Sequence, residues 1–216
     1  MSDRLREGLD AGARALGLDL RPAQSEQLLK YLALLSQWGR VYNLTAIRDP
    51  QEGLAHHLLD CLAVVPALRA RCPGGGRLLD VGAGAGLPGV VIAAVCPEWQ
   101  VTCVDTVAKK MAFVQQAVGQ LGLSGLSAIH ARVESLPGPY DVITARAFAA
   151  LTDLVSWSAQ ALAPNGLWMA MKGRDPVEER AALPAQIDVF HVEPLQVPGL
   201  KAERCLVWMR PRKQAG

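Results

Sequence analysis

No apolar stretch of this 216-residue chain is long enough to cross a bilayer. Its longest purely apolar runs, such as Val90 to Cys96, fall far short of the roughly 20 residues a spanning helix needs. The opening MSDRLREGLD is charged from the third residue and offers no apolar core for a signal peptide. Five cysteines, at 61, 72, 96, 103 and 205, are odd in number and never stand as CxxC. Neither a disulfide framework nor a thiolate zinc site is expected, and reduced thiols point to a cytoplasmic protein. Net charge is only +2, without a polybasic tail, so the footprint of a strongly basic nucleic-acid-binding domain is missing. The one local cluster, Arg210, Arg212 and Lys213, reads as a solvated chain end or as an RNA contact. Internal repeats and low-complexity tracts are absent.

What is present describes a globular protein with a real core: half the residues are hydrophobic and 19% are charged. Residues 4–16 place apolar side chains at 5, 9, 13 and 16, a helical spacing stopped at Gly17. Pro22 opens a second helix with Leu28, Leu29, Leu32, Leu35 and Trp38 on one face. Asp49-Pro50 starts a third, and His57 to Leu68 keeps helical register until Pro73. Residues 1–72 are therefore expected to form a helical cap, closed by the turn CPGGG. From residue 73 to 216 strands and helices alternate, the mark of a mostly parallel sheet in a doubly wound α/β domain. RLLDV, WQVTCVD, LSAIHA, YDVITA and LWMAMK read as its strands. IDVFHVEPL and ERCLVWMR have no room for a crossover helix between them, so they should pair antiparallel and complete seven strands.

The stretch LLDVGAGAGLPG, residues 78–89, breaks an apolar strand into a glycine-rich loop and resumes as the helix VVIAAV. Its N–H groups and the helix start are expected to form a cradle for an anionic or strongly polar group. Gly84, Gly86 and Gly89 satisfy GxGxxG, but Gly82 already ends the strand two residues earlier, and a dinucleotide loop puts its first glycine there. The register Asp80-x-Gly82-x-Gly84 instead resembles the first motif of Rossmann-like, S-adenosylmethionine-dependent methyltransferases. Asp105 closes the second strand and can accept both ribose hydroxyls of an adenosine, which suits an adenosyl cofactor or NAD better than NADP. Arg146 ends the fourth strand, where it could hold a carboxylate or a phosphate, or pair with Asp141 or Asp153. Neither an Asn/Asp-Pro-Pro-aromatic sequence nor a Pro-Cys follows that strand, so exocyclic-amine and pyrimidine-carbon chemistry lack their usual groups. In the cap, His57 and Asp60 stand three apart. With only two candidate ligands, a metal site is not expected, and a hydrogen-bonded His57–Asp60 pair is.

Several separate motifs occur in one order: W-x3-YNLTAIRDP at 38–50, HxLLDxL at 56–62, DVGAGAGLPG at 80–89, RVE at 132–134, TARAFAxL at 144–151 and KG at 172–173. Together, from about Gln37 to Met209, the chain resembles the ribosomal RNA small-subunit methyltransferase G family, also called glucose-inhibited division protein B. Gly39 stands where the family usually has Asn, and Cys61 where it usually has Ser. The resemblance implies methyl transfer from S-adenosylmethionine to N7 of guanine 527 in 16S ribosomal RNA; nothing in the sequence demands a dimer, so a monomer is expected. It implies cofactor binding by Gly82, Leu87, Val133, Glu134 and Arg146, with Val133 and Glu134 at the adenine, and Gly84 and Asp105 join them from the reading of the loop and the second strand. Guanine N7 carries an in-plane lone pair, so neither a general base nor a covalent nucleophile is named. A base could stack on Trp38, Tyr42 or Phe148. For so neutral a chain to bind RNA, Lys109, Lys110, Lys172, Arg174 and the terminal basic cluster should share one rim. An NAD-linked oxidoreductase, and a non-catalytic RNA-binding or ribosome-assembly module with a residual cofactor pocket, are the competing readings.

Overall fold

The computed structural model describes residues 2–42 and 44–212, leaving aside the side chains of residues 2 and 40–42. Asn43, the Tyr42 ring and Lys213, named above, lie outside that description. Helices α1 (Ser2–Ala15) and α2 (Pro22–Tyr42) come first. Pro22 sits in the first turn of α2, and the Gln24 side-chain oxygen accepts the N–H of Arg21 at 3.0 Å. Asp49 caps α3 (Pro50–Gly53), its carboxylate taking the N–H groups of Gln51 and Glu52. The helix then widens into a π-turn over Leu54–Leu59, tightens to α4 (Asp60–Leu62), and restarts after Ala63-Val64 as α5 (Val65–Arg71), with Pro66 in its first turn.

The alternating part follows as β1 (Gly76–Val81), α6 (Gly89–Val95), β2 (Trp99–Asp105), α7 (Ala108–Leu121), β3 (Leu126–His130), β4 (Tyr140–Arg146) and α8 (Leu151–Ser158). It closes with β5 (Leu162–Lys172), α9 (Val177–Ala181), β6 (Ile187–Pro194) and β7 (Cys205–Pro211). Seven strands stand in the order β3-β2-β1-β4-β5-β7-β6. The first five pair parallel, while β7 runs antiparallel to both β5 and β6. This is the expected doubly wound sheet with its terminal hairpin. Two details differ from the sequence reading. The spacing after the fourth strand predicts a helix over 149–162, but it ends earlier, because Ser158 turns its hydroxyl back to the Leu154 carbonyl and accepts the indole N–H of Trp168, and a 3-10 turn follows. Strand β5 also starts earlier than LWMAMK: Leu162 already pairs with Tyr140, and the register shifts before Val142 meets Leu167.

The two faces of the sheet are covered unequally. One side packs α1, α2, the bent helix, α6 and α7 into a single apolar cluster that reaches Leu78, Val142, Met169 and Trp208. The other side is covered mainly by α8 on Leu79, Ile143, Trp168 and Val207. The helices of the N-terminal part are stitched to the sheet domain by polar contacts as well. Gln24 donates to the Ala94 and Val95 carbonyls at the end of α6, and the Tyr31 hydroxyl donates to the Ala85 carbonyl at 2.8 Å. The glycine loop is thus held from below by its own strand and from the side by α2. No helix among the described residues is long and apolar enough to cross a membrane.

Candidate active site

Strands β1 and β4 are neighbours whose following helices, α6 and α8, lie on opposite faces of the sheet. The chain parts there, and the carboxyl ends of the strands open into a crevice. It has two lobes. A hollow of about 500 Å3 is lined by Thr45, His57, Asp60, Gly82, Gly84, Leu87, Arg146, Lys172 and Arg204. A second of about 390 Å3 is lined by Asp105, Val133, Glu134, Phe148 and Trp157, and shares Gly82, Lys110 and Ala147 with the first. All seven residues named from the sequence meet at this crevice. Gly82, Gly84, Leu87 and Arg146 stand in the first lobe, and Asp105, Val133 and Glu134 in the second.

Most of the loop's N–H groups turn inward to the protein. The N–H groups of Ala83, Gly86, Leu87 and Val90 donate to backbone carbonyls, that of Gly84 to Asp105, and that of Gly89 to Asp80. Six donors are therefore engaged within the protein, and a pyrophosphate finds no fan of them to bind. Gly82 is required for another reason. Its φ is +63°, and a Cβ there would overlap the Phe148 ring. Asp80 does not face the crevice at all. Fully buried, it receives the Gly89 N–H at 2.8 Å and fixes the start of α6. Burial, only partly opposed by that N–H, pushes its carboxyl up to about 7.

Asp105 is held in place by its neighbours. Its oxygens accept N–H groups from Gly84 at 3.0 Å and Val107 at 2.9 Å, and Lys110 Nζ lies 3.5 Å away. A carboxylate offers about four acceptor positions, so these contacts orient it while leaving capacity for hydroxyls. Across the same lobe Val133 is buried in a short 3-10 turn. Glu134 is held by Arg132 at 2.9 Å, and a local backbone N–H, helped by that ion pair, keeps its carboxyl below the usual range.

Arg146 pairs with neither Asp141 nor Asp153. Its Nη1 donates to the His56 carbonyl at 3.0 Å and to Asp60 at 3.1 Å, while Arg204 Nε donates to the other Asp60 oxygen at 2.8 Å. The expected His57–Asp60 pair is also absent. His57 Nε2 lies 3.0 Å from the Thr45 hydroxyl, which itself receives the Ile47 N–H. The π-turn explains the difference: its wider winding takes residues three apart off a common face. Burial, helped by the Arg146 charge, lowers His57 to about 4, so it is neutral near pH 7. Arg204, which completes this cluster, carries no signal in the sequence, since it stands 144 positions from Asp60.

The cations gather only in part. Lys110 and Lys172 line the crevice, each with a carboxylate partner, Asp105 and Glu179. Lys109 and Arg174 are exposed beside them in sequence. Arg210 and Arg212, however, flank Asn165 and Gly166 at the opposite end of the sheet, because β7 runs antiparallel to β5. The terminal cluster and the crevice do not share a rim. Of the two aromatics considered for stacking whose rings are described, Trp38 packs on Phe113 with ring centroids 5.5 Å apart, and Phe148 stands in the crevice. Cys61 is buried with its thiol pushed up to about 12, which removes it as a nucleophile.

A glycine loop with six of its donors engaged, beside a carboxylate with acceptor capacity left, suits an adenosyl group better than a pyrophosphate. Comparison with known proteins agrees. The model of the rRNA small subunit methyltransferase G family matches residues 24–207. The ribosomal RNA small subunit methyltransferase G of Acidovorax ebreus is 64% identical over 96% of this chain and 96% of its own. The chain belongs to the ribosomal RNA small subunit methyltransferase G family. Solved methyltransferases share the fold at low identity. A ribosomal protein L11 methylase from Lactobacillus delbrueckii superposes with TM-score 0.56 at 14% identity, covering 70% of this chain and 78% of that one. The glycopeptide N-methyltransferase MtfA, solved with sinefungin, gives 0.58 at 12%, covering 74% and 89%. The cofactor of this methyltransferase is S-adenosylmethionine, and the crevice at Gly82 and the carboxylate of Asp105 suit it.

Proposed function

We propose that the enzyme transfers a methyl group to N7 of guanine 527 in 16S ribosomal RNA, as a cytoplasmic monomer. In this reading residues 1–72 form a helical cap on a methyltransferase domain of residues 73–216. Asp105 holds the ribose hydroxyls, Val133 and Glu134 border the adenine, and Gly82, Gly84 and Leu87 form the wall beside the donor. Arg146, anchored through one guanidinium nitrogen, receives the donor's carboxylate. The observation that supports the reading is that, among the described residues, the first lobe holds no free general base. His57 is neutral, bonded through Nε2 to Thr45 and with Nδ1 buried out of solvent, and Asp60 is taken up by two arginines. An attacking atom with its lone pair already in the ring plane asks for none.

S-adenosylmethionine supplies a sulfonium methyl, and the work of the chain is to align the acceptor in line with it. Alignment and exclusion of water can lower such a barrier by roughly 7–11 kcal/mol. Thr45, Lys172 and Arg204, on the side of the first lobe away from Asp105, border the space for the acceptor base. Since the cations here are already partnered, affinity for RNA should fall only gently with salt.

The test is transfer of labelled methyl from S-adenosylmethionine to small ribosomal subunits, followed by borohydride–aniline cleavage, which cuts at N7-methylguanine. One cleavage, at guanine 527, is expected. Label at another base or at an exocyclic amine overturns the assignment, and no label on RNA or subunit supports the assembly-module reading instead. S-adenosylhomocysteine should bind and NAD should not.

A further inference from the structure

We propose that Phe148, backed by Trp157, clamps the adenine ring of the cofactor against the Val133–Glu134 side of the crevice. The proposal rests on the crevice being the S-adenosylmethionine site, and it gives two aromatic residues a part that the site motifs leave unassigned.

Exposed aromatics are the starting point. Among the described residues three large apolar side chains are exposed, and two of them, Phe148 and Trp157, are each 37% exposed and both line the Asp105 lobe. Trp99, Trp168 and Trp208 are fully buried in the core. Two adjacent wet rings in a polar crevice are apolar area that folding leaves uncovered and a flat ligand would cover. Their geometry is fixed: centroids 5.7 Å apart, planes at 79°, so the edge of one ring meets the face of the other. That arrangement holds each ring's tilt and leaves faces free for stacking.

The segment bearing Phe148 is tightly constrained. Ala147 adopts φ +49°, the one non-glycine residue in the left-handed region among those described, at a cost of about 1 kcal/mol. Strain of this kind persists only where the surroundings enforce it. Here Lys172 Nζ donates to the Ala149 carbonyl at 3.0 Å and to Glu179 at 2.7 Å, and Glu179 accepts the Leu151 N–H at 2.8 Å. The left-handed residue turns the chain so that the ring of Phe148 lies over Gly82, the glycine common to both lobes. A ring at that point, with Asp105 beside it and Val133 and Glu134 lining the same lobe, meets the base of an adenosine whose ribose is held by Asp105.

Binding measured by calorimetry tests this with two ligands, S-adenosylhomocysteine and S-ribosylhomocysteine, which lacks the base. For Phe148→Ala, affinity for S-adenosylhomocysteine should fall about tenfold, while affinity for S-ribosylhomocysteine stays at the parent value. Phe148→Tyr should restore binding, and Trp157→Phe should lose less than Phe148→Ala. Trp157 emission should change with the first ligand and not with the second. If Phe148→Ala binds S-adenosylhomocysteine like the parent, or loses both ligands equally, the clamp is wrong. Asp105→Asn separates this from the wider reading. If the parent fails to bind S-adenosylhomocysteine, or Asp105→Asn is indifferent, the site assignment falls. If Asp105→Asn weakens binding and Phe148→Ala does not, the clamp alone falls.

Discussion

The two ends of the sheet set arginine against carboxylate to opposite effect. At the carboxyl end Arg146 and Arg204 converge on Asp60, which is 2% exposed and receives both. At the other end, roughly 17 Å away along β7, Arg210 meets Asp188 at 2.9 Å with 54% of its side chain in solvent. Arg77 lies there too, 4.7 Å above the Tyr140 ring. Exposed pairs are screened by water and contribute little. A buried carboxylate shared by two arginines cannot lose either partner cheaply, so it fixes where both guanidinium groups point. The difference marks one end as a site with prescribed geometry and the other as ordinary surface.

The comparison breaks most directly at Asp60. Asp60→Ala leaves two partly buried arginines without their carboxylate, and urea denaturation should show a loss of about 3 kcal/mol, with methyl-donor affinity falling too. A loss below about 1 kcal/mol would place this cluster with the exposed pairs.

Gly82→Ala comes next. A methyl at φ +63° that also overlaps the Phe148 ring should cost about 1–2 kcal/mol of stability and more than tenfold in S-adenosylhomocysteine affinity, read by calorimetry.

Acidity sharpens the contrast further, because two buried groups of the carboxyl end titrate oppositely. Asp80 rises from 3.8 to about 7, so between those values only the unfolded chain ionises, and its contribution to stability falls as pH rises. His57 drops from 6.5 to about 4. As pH falls through 6.5 the unfolded chain takes up a proton that the folded one refuses, and stability is lost toward acid. Asp80→Asn keeps an acceptor for the Gly89 N–H and removes the first effect. Its stability relative to the parent should therefore improve from pH 4 to pH 7.5, and a constant difference in urea midpoints across that range would refute the assignment.

The smallest effect belongs to the far end. Arg210→Ala should change stability by no more than about 0.5 kcal/mol and leave methyl transfer to the subunit unaltered at moderate salt. A marked loss of transfer would mean that this end does contact RNA.

Much of the site was legible in the chain. The glycine loop, Asp105 and Arg146 each terminate a strand, and a parallel sheet must bring strand ends together. Legibility stopped where local periodicity stopped being true. His57 and Asp60 share a face on an α-helix, yet the π-turn at Leu54–Leu59 separates them and sends one to Thr45 and the other to two arginines. The glycines also misled about charge. Their freedom was visible, but the partners of their N–H groups were not, and those partners take up donors that a pyrophosphate would need. Arg210 and Arg212 went astray because a hairpin reverses direction, carrying residues near in sequence to Arg204 to the opposite end of the sheet.

The sequence by itself determined the alternation of strands and helices, the loop register that separates an adenosyl from a dinucleotide site, and membership of the methyltransferase family. These depend on local patterning and motif order. Only the tertiary structure decided that Asp60 joins Arg146 and Arg204, and that Phe148 lies over Gly82 beside Trp157. Such contacts join residues up to 144 positions apart. They depend on which strand lies beside which and on the winding of a single helical turn, neither of which a local pattern encodes.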